Sequence, residues 1–138
     1  MARISRREFV KKSSVLAAGS TFVISGTKAS GNPIGANERV RIGIAGLKGR
    51  GGSHIAGFSR VKNVEIVSLI DPDRNVLEQR VAGIKGAKGF TDVRKALEDK
   101  NLDALSIATP NHWHSLMTIW AAQAGKHVYV EKPMSHDI

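Results

Sequence analysis

Residues 40–71 read VRIGIAGLKGRGGSHIAGFSRVKNVEIVSLID. The stretch opens on a β-branched run, Val40, Ile42 and Ile44, which ends at Ala45-Gly46 as a buried strand does. Gly46 to Phe58 follows as a glycine-rich turn opening a helix. Val64 to Ile70 is a second strand, and it ends at Asp71, 25 positions beyond Gly46. Strand, turn, helix, strand and acid is the order of the βαβ unit that binds dinucleotides. In that unit the glycines permit a tight turn, the helix N-terminus faces a pyrophosphate, and the carboxylate takes the ribose hydroxyls.

The glycine pattern departs from the usual one at its centre. With Gly46 first and Gly51 third, the middle position is Lys48. Lysine still presents a main-chain N–H, and its ammonium favours phosphate, but its backbone is less free than glycine's. No other register serves, because Gly43 lies inside the strand and Gly49-x-Gly51 lacks a third glycine. Gly46, Lys48, Gly49, Arg50 and Gly51 are therefore the candidates for the pyrophosphate side. Asp71 has two compatible readings. It can cap a helix that Pro72 begins, and it can bond the adenosine ribose diol while repelling a 2′-phosphate, which favours NAD over NADP. Arg74, close by, is a candidate that softens this repulsion.

Downstream the scheme repeats. Val76, Leu77, Val81 and Ile84 form a helical stripe, Gly86 to Phe90 a turn and short strand, and Thr91 a cap for a helix over Asp92–Lys100. Leu102 to Ala108 reads as a fourth strand. Thr109-Pro110-Asn111-His112-Trp113-His114 then leads into a helix that Gly125 stops, with Trp113 and Trp120 on one core-facing side. Lys126 to Val130 is a fifth strand, leading to Glu131-Lys132-Pro133. Alternation at this spacing predicts an α/β fold, a Rossmann-type doubly wound parallel sheet with helices on both faces. Gly46, Asp71, Thr109 to His114 and Glu131-Lys132 all fall at the carboxyl ends of strands, the rim where such sheets bind ligands. His112 and His114 do not form a metal pair. Near a helix start they diverge by about 200°, and no zinc site is expected.

Thr109-Pro110-Asn111 with His114, and the run Ala124-Gly125-Lys126-His127-Val128-Tyr129-Val130-Glu131-Lys132-Pro133, resemble the Gfo/Idh/MocA family, named for glucose–fructose oxidoreductase, inositol dehydrogenase and rhizopine catabolism. The resemblance runs from about Val40 to Met134. It implies an NAD(P)-dependent oxidoreductase of sugars, cyclitols or polyols. It further implies that Thr109, Pro110 and Asn111 line the nicotinamide-ribose side, that His114 lies near the nicotinamide, and that Glu131 contacts the cofactor. Lys132 corresponds to the family's catalytic-site lysine, which orients and polarises the substrate oxygen; without the family it would read as a surface lysine beside Pro133. Family enzymes continue into a second, largely antiparallel α/β domain that supplies further acid–base residues. The expectation is thus an N-terminal, incomplete dinucleotide-binding domain over residues 38–138, able to bind cofactor but not to turn over. Some relatives use held NAD to cleave glycosidic bonds, which leaves net hydrolysis as an alternative, and a non-catalytic dinucleotide-binding module is a third.

Residues 1–29 have a different texture. Ser5-Arg6-Arg7-Glu8-Phe9-Val10-Lys11 precedes an apolar stretch, Val15 to Ile24, and a small-residue region, the order of an export signal. The first block resembles the twin-arginine motif, which makes the twin-arginine translocase a partner and the periplasm the destination. A membrane anchor results if the signal stays uncleaved, and a basic amphipathic helix on a cytoplasmic protein is the alternative reading. Residues 30–37 read as a linker. Six cations and one anion lie up to Ala29, so only four of the nine net positive charges belong to the rest of the 138-residue chain. Those four are spread out without aromatic interleaving, which argues against nucleic acid. The absence of cysteine excludes disulfides, thiolate metal sites and a cysteine nucleophile. With 41% hydrophobic residues the chain can build a core. No apolar run reaches the roughly 20 residues that span a bilayer. Homo-oligomer formation is left open for the full-length protein.

Overall fold

A computed structural model describes residues 39–135; the expected signal, the linker up to residue 37 and residues 136–138 lie outside the described residues. Five strands form one sheet: β1 (Val40–Ala45), β2 (Val64–Ile70), β3 (Lys88–Phe90), β4 (Ala104–Ile107) and β5 (His127–Val130). Four α-helices connect them: α1 (Arg50–Phe58), α2 (Arg74–Ala82), α3 (Val93–Leu97) and α4 (His114–Gln123). A single 3₁₀ turn, Asn111–Trp113, leads into α4. The strand order is β3-β2-β1-β4-β5 and every neighbouring pair is parallel. The chain therefore winds outward from β1 to one edge, returns across the sheet, and winds to the other edge. The reversal leaves a crevice beyond the carboxyl ends of β1 and β4, the topological switch point of an open α/β sheet.

Two apolar clusters, one on each face, hold the layers together. Ile42, Ile44, Leu47, Ile66, Leu69 and Leu77 pack with Ile55 and Phe58 of α1 and Val76 and Val81 of α2. Ala45, Ile70, Leu105 and Ile107 pack on the other face with Val93, Ala96 and Leu97 of α3 and Ala121 of α4. A bulge in β2 decides which residue faces which cluster. Ile42 pairs with Ile66 but Gly43 pairs with Ser68, so Val67 is the extra residue. One inserted residue inverts the alternation of side chains beyond it. Leu69 thereby lies on the α1–α2 face beside Ile44, and Asp71, the next position but one, turns toward the same side. The N–H of Asp71 still donates to Phe90 O at 3.1 Å, so the strand geometry carries through to that residue.

Three local expectations are corrected. Asp71 does not cap the helix after β2, and Pro72 does not begin it. The cap of α2 is Asp73, whose carboxylate accepts from the N–H groups of Asn75 and Val76 at 3.1 and 3.4 Å. Asp71 is unavailable because its own carboxylate reaches back to the glycine turn. The cap of α3 is Asp92 rather than Thr91, and α3 ends at Leu97, short of Lys100. The ammonium of Lys126 donates to the carbonyls of Asp99 and Leu102 at 3.0 and 2.7 Å, binding the chain where the helix was expected to continue. The fourth strand is shorter than the expected Leu102–Ala108, covering Ala104–Ile107 only, and β5 begins at His127 rather than Lys126.

Asp92 accepts hydrogen bonds from both the side chain and the backbone N–H of Arg94, which lower its carboxyl from 3.8 to about 2. A carboxyl depressed by folding stabilises the fold above its unfolded value and loses that contribution as pH falls toward its folded value. The melting temperature of Asp92→Ala should therefore lie below that of the unsubstituted chain at neutral pH. The gap should close as pH is lowered from 3.8 to about 2, as read by circular dichroism melts across that window.

Candidate functional site

The turn between β1 and α1 is built on backbone that only glycine fits at two places. Gly46 has φ +82°, and a Cβ there would stand 2.7 Å from the carbonyl oxygen of Ala108 at the end of β4. A Cβ on Gly51 would lie 1.6 Å from the carbonyl oxygen of Gly46. The first turn of α1 is thus pressed directly against the end of β1. No side chain caps α1, and no acidic residue lies in its first turn. The N–H groups of Gly51 and Gly52 donate to Lys48 O and Gly49 O at 3.0 and 3.1 Å, but among the described residues no carboxylate offsets the positive end of the helix in its first turn, which suits an anion.

Asp71 lies opposite this turn and is 7% exposed. Its Oδ2 accepts from the N–H of Leu47 at 2.9 Å and its Oδ1 from the N–H of Asp73 at 3.0 Å. A carboxylate has about four acceptor positions, so two remain after these bonds. That arrangement leaves acceptors for a pair of hydroxyls while fixing the carboxylate against rotation. Glycine cradle, uncompensated helix end and buried acid together fit a dinucleotide.

A groove of about 630 Å³ runs from here along the rim. It brings together five of the expected residues, Gly46, Lys48, Asp71, Thr109 and Pro110. Beyond them it is lined by Thr91 to Arg94 and by Trp113, Met117 and Trp120. Trp113, expected in the core, is instead 40% exposed, with its ring 6.5 Å from that of Trp120. The guanidinium of Arg94 lies 5.6 Å from the centroid of Trp120, within cation–π range. The groove's far end is therefore an aromatic wall of two indoles tilted 46° to each other.

The remaining expected residues lie outside the groove lining. Gly49, with φ +44°, precedes α1, and Arg50 begins it. Arg74 begins α2 and is exposed, and Asn111 begins the 3₁₀ turn and is exposed. Lys132 is exposed just beyond β5. His114 is 1% exposed, with Nδ1 2.6 Å from Pro133 O and Nε2 2.7 Å from Thr109 O. Both ring nitrogens face backbone carbonyls, so His114 ties the loop after β4 to the loop after β5.

Glu131 is linked in the same way to α1. Its Oε1 accepts from Arg50 Nε and from His54 Nε2, each at 2.7 Å. These bonds, His54 first and then Arg50, hold its carboxyl below the usual range. The other nitrogen of His54 is 2.8 Å from Ser106 Oγ. With Nε2–H donating to the carboxylate, Nδ1 accepts from the serine hydroxyl, and the buried ring is satisfied in one neutral tautomer. His54 was missed as a site residue in the sequence. The available signal was its place three residues after Gly51 and four before Phe58, on the inward stripe of α1.

Gly51→Ala tests the close approach of helix to turn. The substitution should destabilise the chain by about 2–4 kcal/mol, as for other backbone clashes. It should also abolish any quenching of Trp113 and Trp120 by added dinucleotide. Thermal melts and a fluorescence titration measure the two effects.

Comparison with known proteins agrees with this geometry. The Gfo/Idh/MocA family, described as an oxidoreductase family with an NAD-binding Rossmann fold, matches residues 40–138. A glycosyl hydrolase family 109 protein of Solibacter usitatus is 35% identical over 152 residues, covering 100% of this chain and 35% of the relative. Inositol 2-dehydrogenase 4 of Saccharopolyspora erythraea is 32% identical over 102 residues, covering 73% of this chain and 30% of the relative. Among solved structures, myo-inositol 2-dehydrogenase from Lactobacillus plantarum superposes with a TM-score of 0.70 at 29% identity, over 73% of this chain and 30% of that one. The WlbA dehydrogenase from Bordetella pertussis, solved with NADH and UDP-GlcNAcA, gives 0.68 at 33% identity, over 72% and 30%. The chain spans about a third of the length of these relatives. With its parallel sheet and glycine turn in place, the chain belongs to the Gfo/Idh/MocA oxidoreductase family and carries that family's NAD-binding Rossmann fold.

Proposed function

We propose that the chain is the NAD-binding part of an exported oxidoreductase that acts on CH–OH groups of sugars or polyols. The observation that carries the reading is the buried Asp71 carboxylate, fixed opposite a cradle that any Cβ at Gly51 would fill. On this reading Gly46, Gly49, Arg50 and Gly51 hold the pyrophosphate, and Asp71 takes the adenosine ribose diol in preference to a 2′-phosphate. Thr109, Pro110 and Asn111 line the nicotinamide-ribose side, while His114 holds the two flanking loops in place. Glu131, itself held by Arg50 and His54, positions the segment that carries Lys132. Bound NAD supplies the hydride acceptor. Lys132 orients and polarises the substrate oxygen.

A second reading, NAD-dependent net hydrolysis of a glycoside, has one observation in its favour. The glycosyl hydrolase family 109 relative of Solibacter usitatus matches all of this chain, including its N-terminal residues, whereas the inositol 2-dehydrogenase relative matches 73%. An enzyme built on this chain separates the two when given NAD and sugar substrates. Growth of NADH absorbance with a free sugar or polyol is expected for the oxidoreductase; release of sugar from a glycoside without net NADH would replace that reading with the hydrolase.

Residues 1–29 act, in this proposal, as a twin-arginine signal and residues 30–37 as a linker to the domain. The Arg6-Arg7 pair, followed by Phe9 and Lys11, supports export to the periplasm. Replacing both arginines by lysine should leave the protein in the cytoplasmic fraction, as read by immunoblot of fractionated cells. Unchanged export would remove this part of the reading.

A further inference from the structure

The central position of the glycine turn carries a cation, and the protein has already engaged it. Lys48 Nζ donates to Asp73 Oδ2 at 2.8 Å. The pair joins the loop between β1 and α1 to the loop between β2 and α2, and Asp71 lies between the two. Asp71 is bonded to the neighbour of Lys48, through the N–H of Leu47, and to Asp73 itself, through its N–H. Lys48, Asp71 and Asp73 all line the same groove. The Lys48 ammonium is pushed up by Asp73, through its hydrogen bond first and its charge second, with a smaller contribution from Asp71. The cation therefore sits within the field of the acid placed to take the ribose diol.

Asp73 is held in position for this contact. Its Oδ1 caps α2 through Asn75 and Val76, which leaves Oδ2 turned to the lysine. The lysine and aspartate side chains are 67% and 37% exposed, and an ion pair so exposed adds little to stability. Its chemical consequence is larger. An unengaged ammonium beside a ribose is a ready partner for a phosphate on that sugar. An ammonium already bonded to a carboxylate is not, and the carboxylate adds its own repulsion to that of Asp71.

We propose that Asp73, by holding Lys48, is a second determinant of NAD over NADP, acting beside Asp71. The inference rests on Asp71 as the ribose acid and goes beyond it by assigning the choice to a pair that contains the exceptional central lysine. Asp73→Asn is the informative variant, because asparagine caps a helix as well as aspartate does while carrying no charge. Binding of NAD+ and NADP+ to the full chain is titrated by tryptophan fluorescence for the unsubstituted protein, Asp73→Asn, Lys48→Met and the double variant. Asp73→Asn should tighten NADP+ relative to NAD+ by about tenfold, the scale of one charge-assisted contact. The gain should vanish in the double variant and shrink at high salt. A merely structural role would weaken both dinucleotides together and leave their ratio alone. A ratio within about twofold of the unsubstituted protein, or a gain that survives loss of Lys48, overturns the proposal; twofold is well under the 1.4 kcal/mol that marks a tenfold change. If the unsubstituted chain binds NADP+ but not NAD+, this proposal fails although the dinucleotide site stands. If it binds neither, the dinucleotide reading fails with it.

Discussion

The carbonyl oxygen of Gly46 and the α-carbon of Gly51 stand closer than any side chain would permit, and the rest of the site follows from that approach. Because a Cβ on Gly51 would come to 1.6 Å of that oxygen, α1 can begin only where glycine occupies the position. Beginning there, α1 points its first turn along the rim of the sheet. It also places His54 one turn later, where it reaches the ends of two strands. A wider turn would move the helix end away from the rim, and both the anion site and the histidine link would be lost.

Two histidines then join loops that secondary structure alone would leave independent. His54 joins α1 to β4 through Ser106 and to the end of β5 through Glu131. His114 joins the loop after β4 to the loop after β5 through two backbone carbonyls. Both rings are buried, so a ring nitrogen left without a partner there would be costly. Of the residues they hold, Glu131 and Pro133 flank Lys132 in the chain, and His114 ties Pro133 back to Thr109 in the loop after β4. The exposed lysine thus extends from a segment anchored on both sides, a footing that suits the orienting role proposed for it.

On the proposed reading, the charges along the rim serve selectivity more than stability. Asp71 is buried and fixed by two backbone N–H groups, whereas Lys48, Asp73, Arg50 and Arg94 are partly or largely exposed and paired with neighbours. Exposed pairs contribute little to folding. Beside a bound phosphate or ribose they determine which charges are still available to the ligand. The tilted indoles of Trp113 and Trp120 add an apolar surface at the far end of the same groove.

The fold class and most of the rim were legible in the residues themselves. Short β-branched runs separated by helical stripes specify a parallel sheet, and the spacing of Gly46, Gly51 and Asp71 specifies the βαβ unit. Such signals are local, arising from periodicity and backbone freedom, and so they are written in contiguous sequence. Other features depend on contacts between distant segments. The bulge at Val67 turns Asp71 toward the glycine turn, and once Asp71 bonds Leu47 the capping of α2 passes to Asp73. The segment after the short α3 is held by Lys126, which arrives from just before the strand at the far edge of the sheet. His54 and Glu131 are 77 positions apart, and no periodicity links them. Which side chain satisfies a buried donor is decided only when the layers pack, because the alternatives are all locally acceptable and differ only in what the rest of the chain brings beside them.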